Sequence, residues 1–511
     1  MIGMVRCCCL TILVVASVAA CAAAEPVPAP SAAPSQTPSA AQPQTQAPTY
    51  YDYAPLLQYA QSAQGIALRH PTPEEIERLG PLWPKAPWHR NAASYYFKAL
   101  TLAKAAAARS ANLEPPGTSD GEAPYAGDKK ALEGWVDHFR PALKAMCKGL
   151  RFDYCQPPVF LTTEMLPTQP PRPRAKLPWS VWPMDMRSFA AYCADAAFVE
   201  ELDGRSTRAA RWHLRCLRMM TQARRAGDEL RSLEAINGAS VALCELHRLM
   251  ANQALPEEML HEIAGQCLAS ESLPDELSMM WEREKVRLDD MYAAFDFGQG
   301  PEAEGAWEKA RSQLAQQYPG SAPPRDYQQL RNDLEDFESK VAEVLRRPLS
   351  DLASDKPGGA TLVRLCFPQT GPPSFFARVY CAVILTAPES YATGDVRLRE
   401  TEAQAAVILY QKKFGRLPVK LEDLVPDYLP VVPEDPFSKA PIRFALTDYG
   451  WKVWSVGPNH TDEGGVGLDP LTSTRPDLVL RSNTETNEQR RSGFRLAEEN
   501  GQLVLKKRIR Q

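Results

Sequence analysis

Between Met186 and Leu268, apolar residues recur three and four positions apart in four consecutive segments: Met186–Leu202, Ser206–Ala226, Glu229–Asn252 and Pro256–Leu268. That period puts the apolar side chains on one face of a helix. The breaks are Asp203-Gly204, Gly227-Asp228 and Ala254-Leu255-Pro256, each a short helix–helix turn. A chain written this way folds into antiparallel helical hairpins.

The helical pattern runs on in both directions. Upstream lie a short helix over Pro73 to Leu79, a run opening at Asn91 with Tyr95, Tyr96, Phe97 and Leu100 in step, and a helix over Lys129 to Leu150. Charged helices follow over Asp275–Phe295, Glu302–Tyr318 and Arg325–Arg347. The last has Asp333, Glu335, Asp336 and Glu338 ahead of Arg346 and Arg347, which suits the helix dipole. Residues 156–184 hold eight prolines and two tryptophans and read as an ordered irregular excursion. The apolar run Ser374 to Thr386 has thirteen residues, too few to cross a bilayer, so a buried helix is expected there.

The first residues read as a processing segment. Arg6 supplies a thin positive region and Leu10 to Ala20 an apolar stretch, ending in Val18-Ala19-Ala20-Cys21. That ending resembles a bacterial lipobox with Cys21 as lipid acceptor. The other reading is cleavage after Ala22-Ala23-Ala24, which releases an unanchored exported chain. Residues 22–49 are Ala, Pro, Gln, Ser and Thr with one charge and, apart from Val27, no large apolar residue, a composition that cannot bury a core. Proline stiffens it into a semi-extended spacer. The expected layout is residues 1–20 as lipoprotein signal peptide, 21–50 as linker, and a helical domain over 51–390. The chain would be exported and lipid-anchored to a membrane facing the periplasm or exterior. The net charge of −4 excludes general nucleic-acid binding, which needs a basic footprint.

Setting Cys7, Cys8, Cys9 and Cys21 apart from the twelve cysteines leaves positions 147, 155, 193, 216, 244, 267, 366 and 381. In an exported chain these permit disulfides, although free cysteine is also a common buried side chain. Cys193 and Cys216 lie eleven and twelve residues either side of Gly204, and Cys244 and Cys267 flank Leu255-Pro256 in the same way. Hairpin symmetry therefore suggests the pairs Cys193–Cys216 and Cys244–Cys267.

The last fifth changes character. A helix from Val396 ends at Phe414-Gly415-Arg416-Leu417-Pro418. Leu421-Glu422-Asp423-Leu424-Val425-Pro426, Tyr428-Leu429-Pro430, Glu434-Asp435-Pro436-Phe437, Trp454-Ser455-Val456-Gly457-Pro458-Asn459, Asp462-Glu463-Gly464-Gly465 and Asp477-Leu478-Val479 follow. Strands are expected over Ile442–Leu446, Trp451–Val456 and Leu478–Leu480. A hairpin about Asn500-Gly501, between Gly493–Leu496 and Leu503–Lys507, is expected in the basic tail of residues 486–511.

In that order the motifs resemble the C-terminal domain of the major pseudopilin of type II secretion, over about 85 residues. The whole chain looks like bacterial envelope lipoproteins that join helical hairpins to such a tail. The resemblance implies an α+β module over 396–485, with its helix packed on a small antiparallel sheet through Leu398, Ala405 and Leu409. Trp454 with Val456, or Val453 with Ser455, would be the inward pair, because strand side chains alternate. It also implies a Ca²⁺ loop, carried here by Asn459, Asp462, Glu463 and Asp469 or Asp477. Hard cations need six to eight oxygens, which an acidic loop provides. Asn459 stands where the family has an aspartate, and Leu468-Asp469-Pro470 interrupts the loop. The plainer reading is a polar turn in which the glycines take positive φ.

No catalytic motif accompanies this. His261-Glu262 begins like a zinc-protease helix, but Gly265 occupies the place of the second histidine. There is no nucleophile elbow, phosphate loop or dinucleotide fingerprint. Ser240 follows Gly238 within a helix, where the glycine suits close helix contact. The expectation is a mainly α protein: a helical-hairpin array followed by a small α+β pseudopilin-like module. Its expected role is envelope-anchored scaffolding or binding of a protein or peptide partner. An accessory role in a type II secretion or pilus-like system and an exported hydrolase are the alternatives.

Overall fold

The computed structural model describes residues 53, 58, 68–110, 129–159, 161–162, 186–252, 254–293, 300–317, 323–355, 375–447, 450–465, 478–481, 494–499 and 502–507. Cys21, the spacer, Cys366, Asp469 and Asp477 lie outside them. Among the described residues the protein is mainly helical, with twelve α-helices and small antiparallel sheets near the C-terminus. No described helix is long and apolar enough to cross a membrane.

A two-residue pairing of β1 (Leu68–Arg69) with β2 (Leu161–Thr162) fastens the N-terminal segment to the irregular excursion. α1 (Pro73–Leu79) starts with proline after Thr72, and Thr72 and Glu75 satisfy each other's backbone N–H in a capping box. Asn91 caps α2 (Ala92–Arg109) by accepting from the Ala93 N–H at 3.1 Å. Its amide also donates to the Gln156 carbonyl at 2.6 Å, so one side chain starts the helix and holds the excursion. α2 packs against α3 (Lys129–Gly149), where Gly149 is required: a Cβ there would lie 2.6 Å from the Tyr96 ring.

The four-segment pattern forms α4 (Met186–Leu202), α5 (Ser206–Ala226), α6 (Glu229–Asn252) and α7 (Glu257–Ala269). Gly204 turns the α4–α5 hairpin at φ 71°. Gly238 of α6 meets Met220 closely, as the sequence suggested: an added Cβ would sit 2.7 Å from its sulfur. α4, α5 and α6 pack on one another around Phe189, Leu217, Met220 and Leu246, all buried. A second core gathers α8 (Glu276–Ala293), α9 (Pro301–Gln317), α10 (Tyr327–Leu345) and α11 (Leu349–Ser354) about Trp281, Leu334, Phe337 and Phe376.

α12 (Phe375–Phe414) joins everything. It is one helix of 40 residues, about 60 Å long, and Pro388 lies inside it. The expected helical domain ending at 390 and module beginning at 396 are therefore not separated by a break. α12 also lies against both α6 and α7, which make little contact with each other. The hairpin assumed for Cys244 and Cys267 is thus opened by a third helix.

The helix carries two apolar stripes rather than one. Leu398, Ala405 and Leu409 face the hairpin core, whereas Ala403, Ala406, Val407 and Tyr410 face the sheet. This corrects the expected face: helical spacing groups Leu398, Ala405 and Leu409 correctly, but does not say which neighbour they meet. The sheet is β5 (Arg443–Thr447), β6 (Gly450–Ser455) and β7 (Leu478–Arg481), antiparallel, with Val453 opposite Phe444 on one side and Leu480 on the other. Val453 and Ser455 are the inward pair, with Trp451. Two short strands, β3 (Glu434–Asp435) and β4 (Ala440–Pro441), form the approach to this sheet. The terminal hairpin forms as β8 (Phe494–Glu499) and β9 (Gln502–Lys507), with Glu499 opposite Gln502 across the Asn-Gly turn position.

Candidate functional site

The motif residues of the tail meet at Asp435, which is fully buried. One carboxylate oxygen accepts from the Phe437 N–H at 3.0 Å and the Ser455 hydroxyl at 2.7 Å. The other accepts from the Ser438 hydroxyl at 2.9 Å, the Val456 N–H at 3.1 Å and Arg443 Nη1 at 3.1 Å. A buried carboxylate is tolerable only with such a full set of donors. The Asp-Pro-Phe and Ser-Val-Gly motifs are two halves of one polar knot tying the sheet approach to the end of β6. His460 Nδ1 closes it at 3.1 Å from the Phe437 carbonyl. The Ser455 hydroxyl faces Asp435 in a sealed interior and is not presented to a substrate.

Arg443 links the knot to the acidic loop by donating from Nε to Asp462 at 2.7 Å. Asp462 also accepts from the Trp454 indole at 3.0 Å and the Gly464 N–H at 2.9 Å. The Trp454 and Gly464 hydrogen bonds and the Arg443 charge hold its carboxyl below the usual range. Asn459 donates to Glu463 at 2.6 Å and accepts from the Thr461 N–H at 3.0 Å, while Lys452 donates to the Gly464 carbonyl. Gly464 and Gly465 take φ 73° and 70°. Asn459, Asp462 and Glu463 thus form a turn closed by the protein's own cations, with donor groups on both Asp462 oxygens. Among the described residues, no three His, Cys, Asp or Glu side chains converge as a metal site. The described part of the loop fits a polar turn better than a Ca²⁺ shell, which would need those oxygens free.

A second polar concentration lies along α12 where it meets α5, α7 and α8. Arg224, 5% exposed, donates to Glu276 at 2.6 Å and to the Ser270 carbonyl at 2.9 Å. Asp395 accepts from the Ser272 N–H and hydroxyl at 3.0 and 2.9 Å, and Arg399 pairs with Glu271 at 2.6 Å. Burial raises the carboxyl of Asp395 to about 6 against the pull of Arg224 and Arg399. It raises Glu400 to about 7, and Glu402 to about 7 with Glu271 adding to the effect. A cavity of about 10 Å³, room for one water, lies beside Arg224 and Ser270. The arrangement locks helices together and has no opening of substrate size.

The six cysteines whose side chains are described, Cys147, Cys155, Cys193, Cys216, Cys244 and Cys267, are free thiols. Cys193 and Cys216 do face each other, both buried, with the Cys216 thiol in hydrogen-bonding contact. Cys244 is exposed near Arg397 and Glu400, while Cys267 is buried near Glu402 and Glu271. Inserting α12 sends these two to different faces, so the second expected pair is not brought together. His213 is packed inside the helical core: burial and nearby Arg248 lower its imidazole to about 3, leaving it neutral.

The end of α12 is open to solvent, as are Trp88, Leu268, Leu273 and Leu446 elsewhere among the described residues. Phe414, Val419 and Val431 are 48%, 66% and 65% exposed. The Phe414 ring lies tilted against Tyr410 at 4.5 Å between centroids, with Lys413 over the Phe414 and Tyr428 rings and Arg416 over Tyr410. Lys412, Lys413, Arg416 and Lys420 lie in this stretch without an acid among residues 411–420. Sequence reading took this segment only as a helix exit. Its signal was Phe414 following Lys412 and Lys413 and preceding Arg416, where a helix exit needs no aromatic.

No family model matches the chain, and no curated protein or solved structure matches it.

Proposed function

We propose that the chain is an envelope-anchored, non-enzymatic scaffold or partner-binding lipoprotein. A lipid on Cys21 and the spacer of residues 22–49 would hold the helical body off the membrane, and the α12 end would present its docking surface. The exposed aromatic–cationic end supports this best: Phe414 lies 48% exposed beneath Lys413, whereas Asp435 and the Arg224–Asp395 cluster are buried. Exposed rings under cations suit an acidic partner segment carrying an apolar anchor, which replaces water over Phe414 and meets Lys412, Lys413 and Arg416. The plainer role of the two lysines, complementing the negative end of the helix dipole, does not account for Phe414 in solvent.

The tail motifs favour a second reading, an accessory part of a type II secretion or pilus-like system. Affinity purification from membranes with mass spectrometry, comparing the native chain with Phe414→Ser/Lys413→Glu, separates the readings. An acidic partner retained by the native chain and lost from the variant supports the first. Secretion-machine subunits that co-purify with both favour the second. A chain that retains no partner, or hydrolyses ester or peptide substrates in a screen, overturns the binding role.

A further inference from the structure

The solvent side of α5 is written in arginine. Arg208, Arg211, Arg215 and Arg218 follow one another three and four residues apart, which sets them in a single row about 15 Å long. All four are exposed or half-exposed, while Ala209, His213, Leu214 and Leu217 on the opposite side are buried, so the core fixes which way the row faces. Gln222, one turn beyond Arg218, donates to the Phe152 carbonyl at 2.9 Å, and Arg218 reaches Asp153 at 2.7 Å. Those contacts bring the exposed Lys148 and Arg151 alongside. Six cations thus share one surface of a chain whose formal net charge is −4. Two acids meet them: Glu262 lies 3.6 Å from Arg211, and Asp153, 96% exposed, pairs with Arg218. Pairs so open to water are weak and readily exchanged. Arg208 and Arg215 have no carboxylate partner among the described residues, whereas Arg205 pairs with Glu200 and Asp203 and ends the row. The Arg215 guanidinium lies over the Trp212 ring at 4.9 Å, a contact that restrains a long side chain at the surface.

We propose that this arginine face binds an anionic polysaccharide, a chain of sugars bearing carboxylate or phosphate groups. Planar guanidinium forks grip either group through paired N–H donors, which a lysine row would not do as well. A row, unlike a pocket, suits a ligand whose charges repeat along a line. The surroundings disfavour other polyanions. An anionic bilayer is held by cations together with apolar side chains that enter it, and none of the exposed large apolar residues lies on α3 or α5. For the same reason the row offers no apolar contact to anchor an acidic protein segment. Single-stranded nucleic acid stacks its bases on open aromatic faces, whereas Trp212 is capped by Arg215. A hydrophilic polymer that brings charge and hydroxyl groups alone is the ligand that matches. The face is separate from the end of α12, and neither role depends on the other.

The test titrates the purified full chain into labelled polygalacturonate (carboxylate), phosphomannan (phosphate), neutral dextran and oligo(dT), read by fluorescence anisotropy. Vesicles with and without phosphatidylglycerol, read by co-sedimentation, form a separate arm. One or both acidic glycans should bind, more weakly as salt is added, and dextran should not. Whichever acidic glycan binds more tightly identifies the acid group. Arg208→Ser/Arg211→Ser/Arg218→Ser should bind at least about tenfold more weakly, because three charged contacts are gone. Lys309→Ser/Lys340→Ser/Arg346→Ser removes three exposed cations elsewhere and should bind as the native chain does, which separates a site from net charge. Should the arginine variant melt early, Lys148→Ser/Arg151→Ser, outside the row, carries the test with a loss of about threefold. The proposal is overturned if neither acidic glycan binds, or if dextran binds equally. Tighter binding to oligo(dT), or binding to vesicles that requires phosphatidylglycerol and exceeds that to the glycans, overturns it too. So does equal binding by the arginine variant and the control variant.

Discussion

Glu400→Gln should make the protein more stable in mild alkali and leave it nearly unchanged in mild acid. Glu400 is fully buried on α12; one oxygen has no hydrogen-bond partner, and the other has only Arg397 at 3.4 Å. The charged groups facing it are Arg397 and Asp435, with the Cys244 thiol nearby. Burial raises its carboxyl from 4.5 to about 7. A raised acid holds its proton more tightly folded than unfolded. Stability is therefore undiminished below the unfolded value near 4.5 and falls as pH rises through about 7. The difference is worth about 3 kcal/mol above pH 8. The substituted amide never ionises, so the variant escapes that loss, less about 1 kcal/mol for seating an amide where acceptors are few. Urea unfolding followed by tryptophan fluorescence at pH 5 and 8.5 measures it as a double difference, which cancels Asp395 and Glu402 titrating in the same direction. The variant should gain about 2 kcal/mol over the native chain at pH 8.5 and differ little from it at pH 5, where ionisation has already cost the native chain nearly as much as the amide does, about 1 kcal/mol. An equal effect at both pH values would refute the reasoning, because the gain would then owe nothing to ionisation.

Asp435→Ala strips five donors of their acceptor and should destabilise the sheet region by about 3–5 kcal/mol, read as early proteolytic cleavage after residue 430. Gly149→Ala drives a methyl into the Tyr96 ring and should lower stability by about 1–3 kcal/mol, whereas Gly238→Ala meets the flexible Met220 side chain and should lose less. Thermal melts of the two variants check the order as well as the sign. Cys21→Ser should abolish incorporation of an alkynyl fatty acid in cells, and a label that survives the substitution would remove the anchor from the proposed function.

Helices were the most legible part of the chain, because their signal is local. Apolar spacing and Gly204 define α4 and α5, and Thr72, Pro73 and Glu75 define α1 from its cap alone. The strands beside Asp435 followed from alternation. What periodicity could not carry was choice of neighbour. Leu398, Ala405 and Leu409 share a stripe whichever surface they meet, and the second stripe of Ala403, Ala406 and Val407 hides in an alanine-rich run. Proline removes one N–H donor and ordinarily ends a helix, yet packing of Tyr391 and Ala387 into the second core carries α12 past Pro388 and joins the two helices expected on either side of it.

The candidate site was legible in residue type, whereas the partners of its residues were not. Asp435, Ser455 and Asp462 stand out in the sequence because acidic and hydroxyl residues punctuate apolar strands, and such residues look like ligands for something external. The structure supplies their partners from within: Ser455 and two backbone N–H groups for Asp435, Trp454 for Asp462, and Arg443 bridging both. Arg443 was the missed signal, a lone cation opening a strand otherwise written Phe-Ala-Leu-Thr. A guanidinium reaching two carboxylates does from one side chain the neutralisation that a bound cation otherwise provides, and it does so with directional donors that also fix strand register. The same reasoning covers the acids of α12. Asp395, Glu400 and Glu402 crowd a helix with no polar face to spare, so the sequence marks them as buried once both stripes are counted. Asp395 is answered by Ser272 and Arg224, whereas Glu400 keeps an unpartnered oxygen. That imbalance makes Glu400 a position where a change of pH acts on this fold.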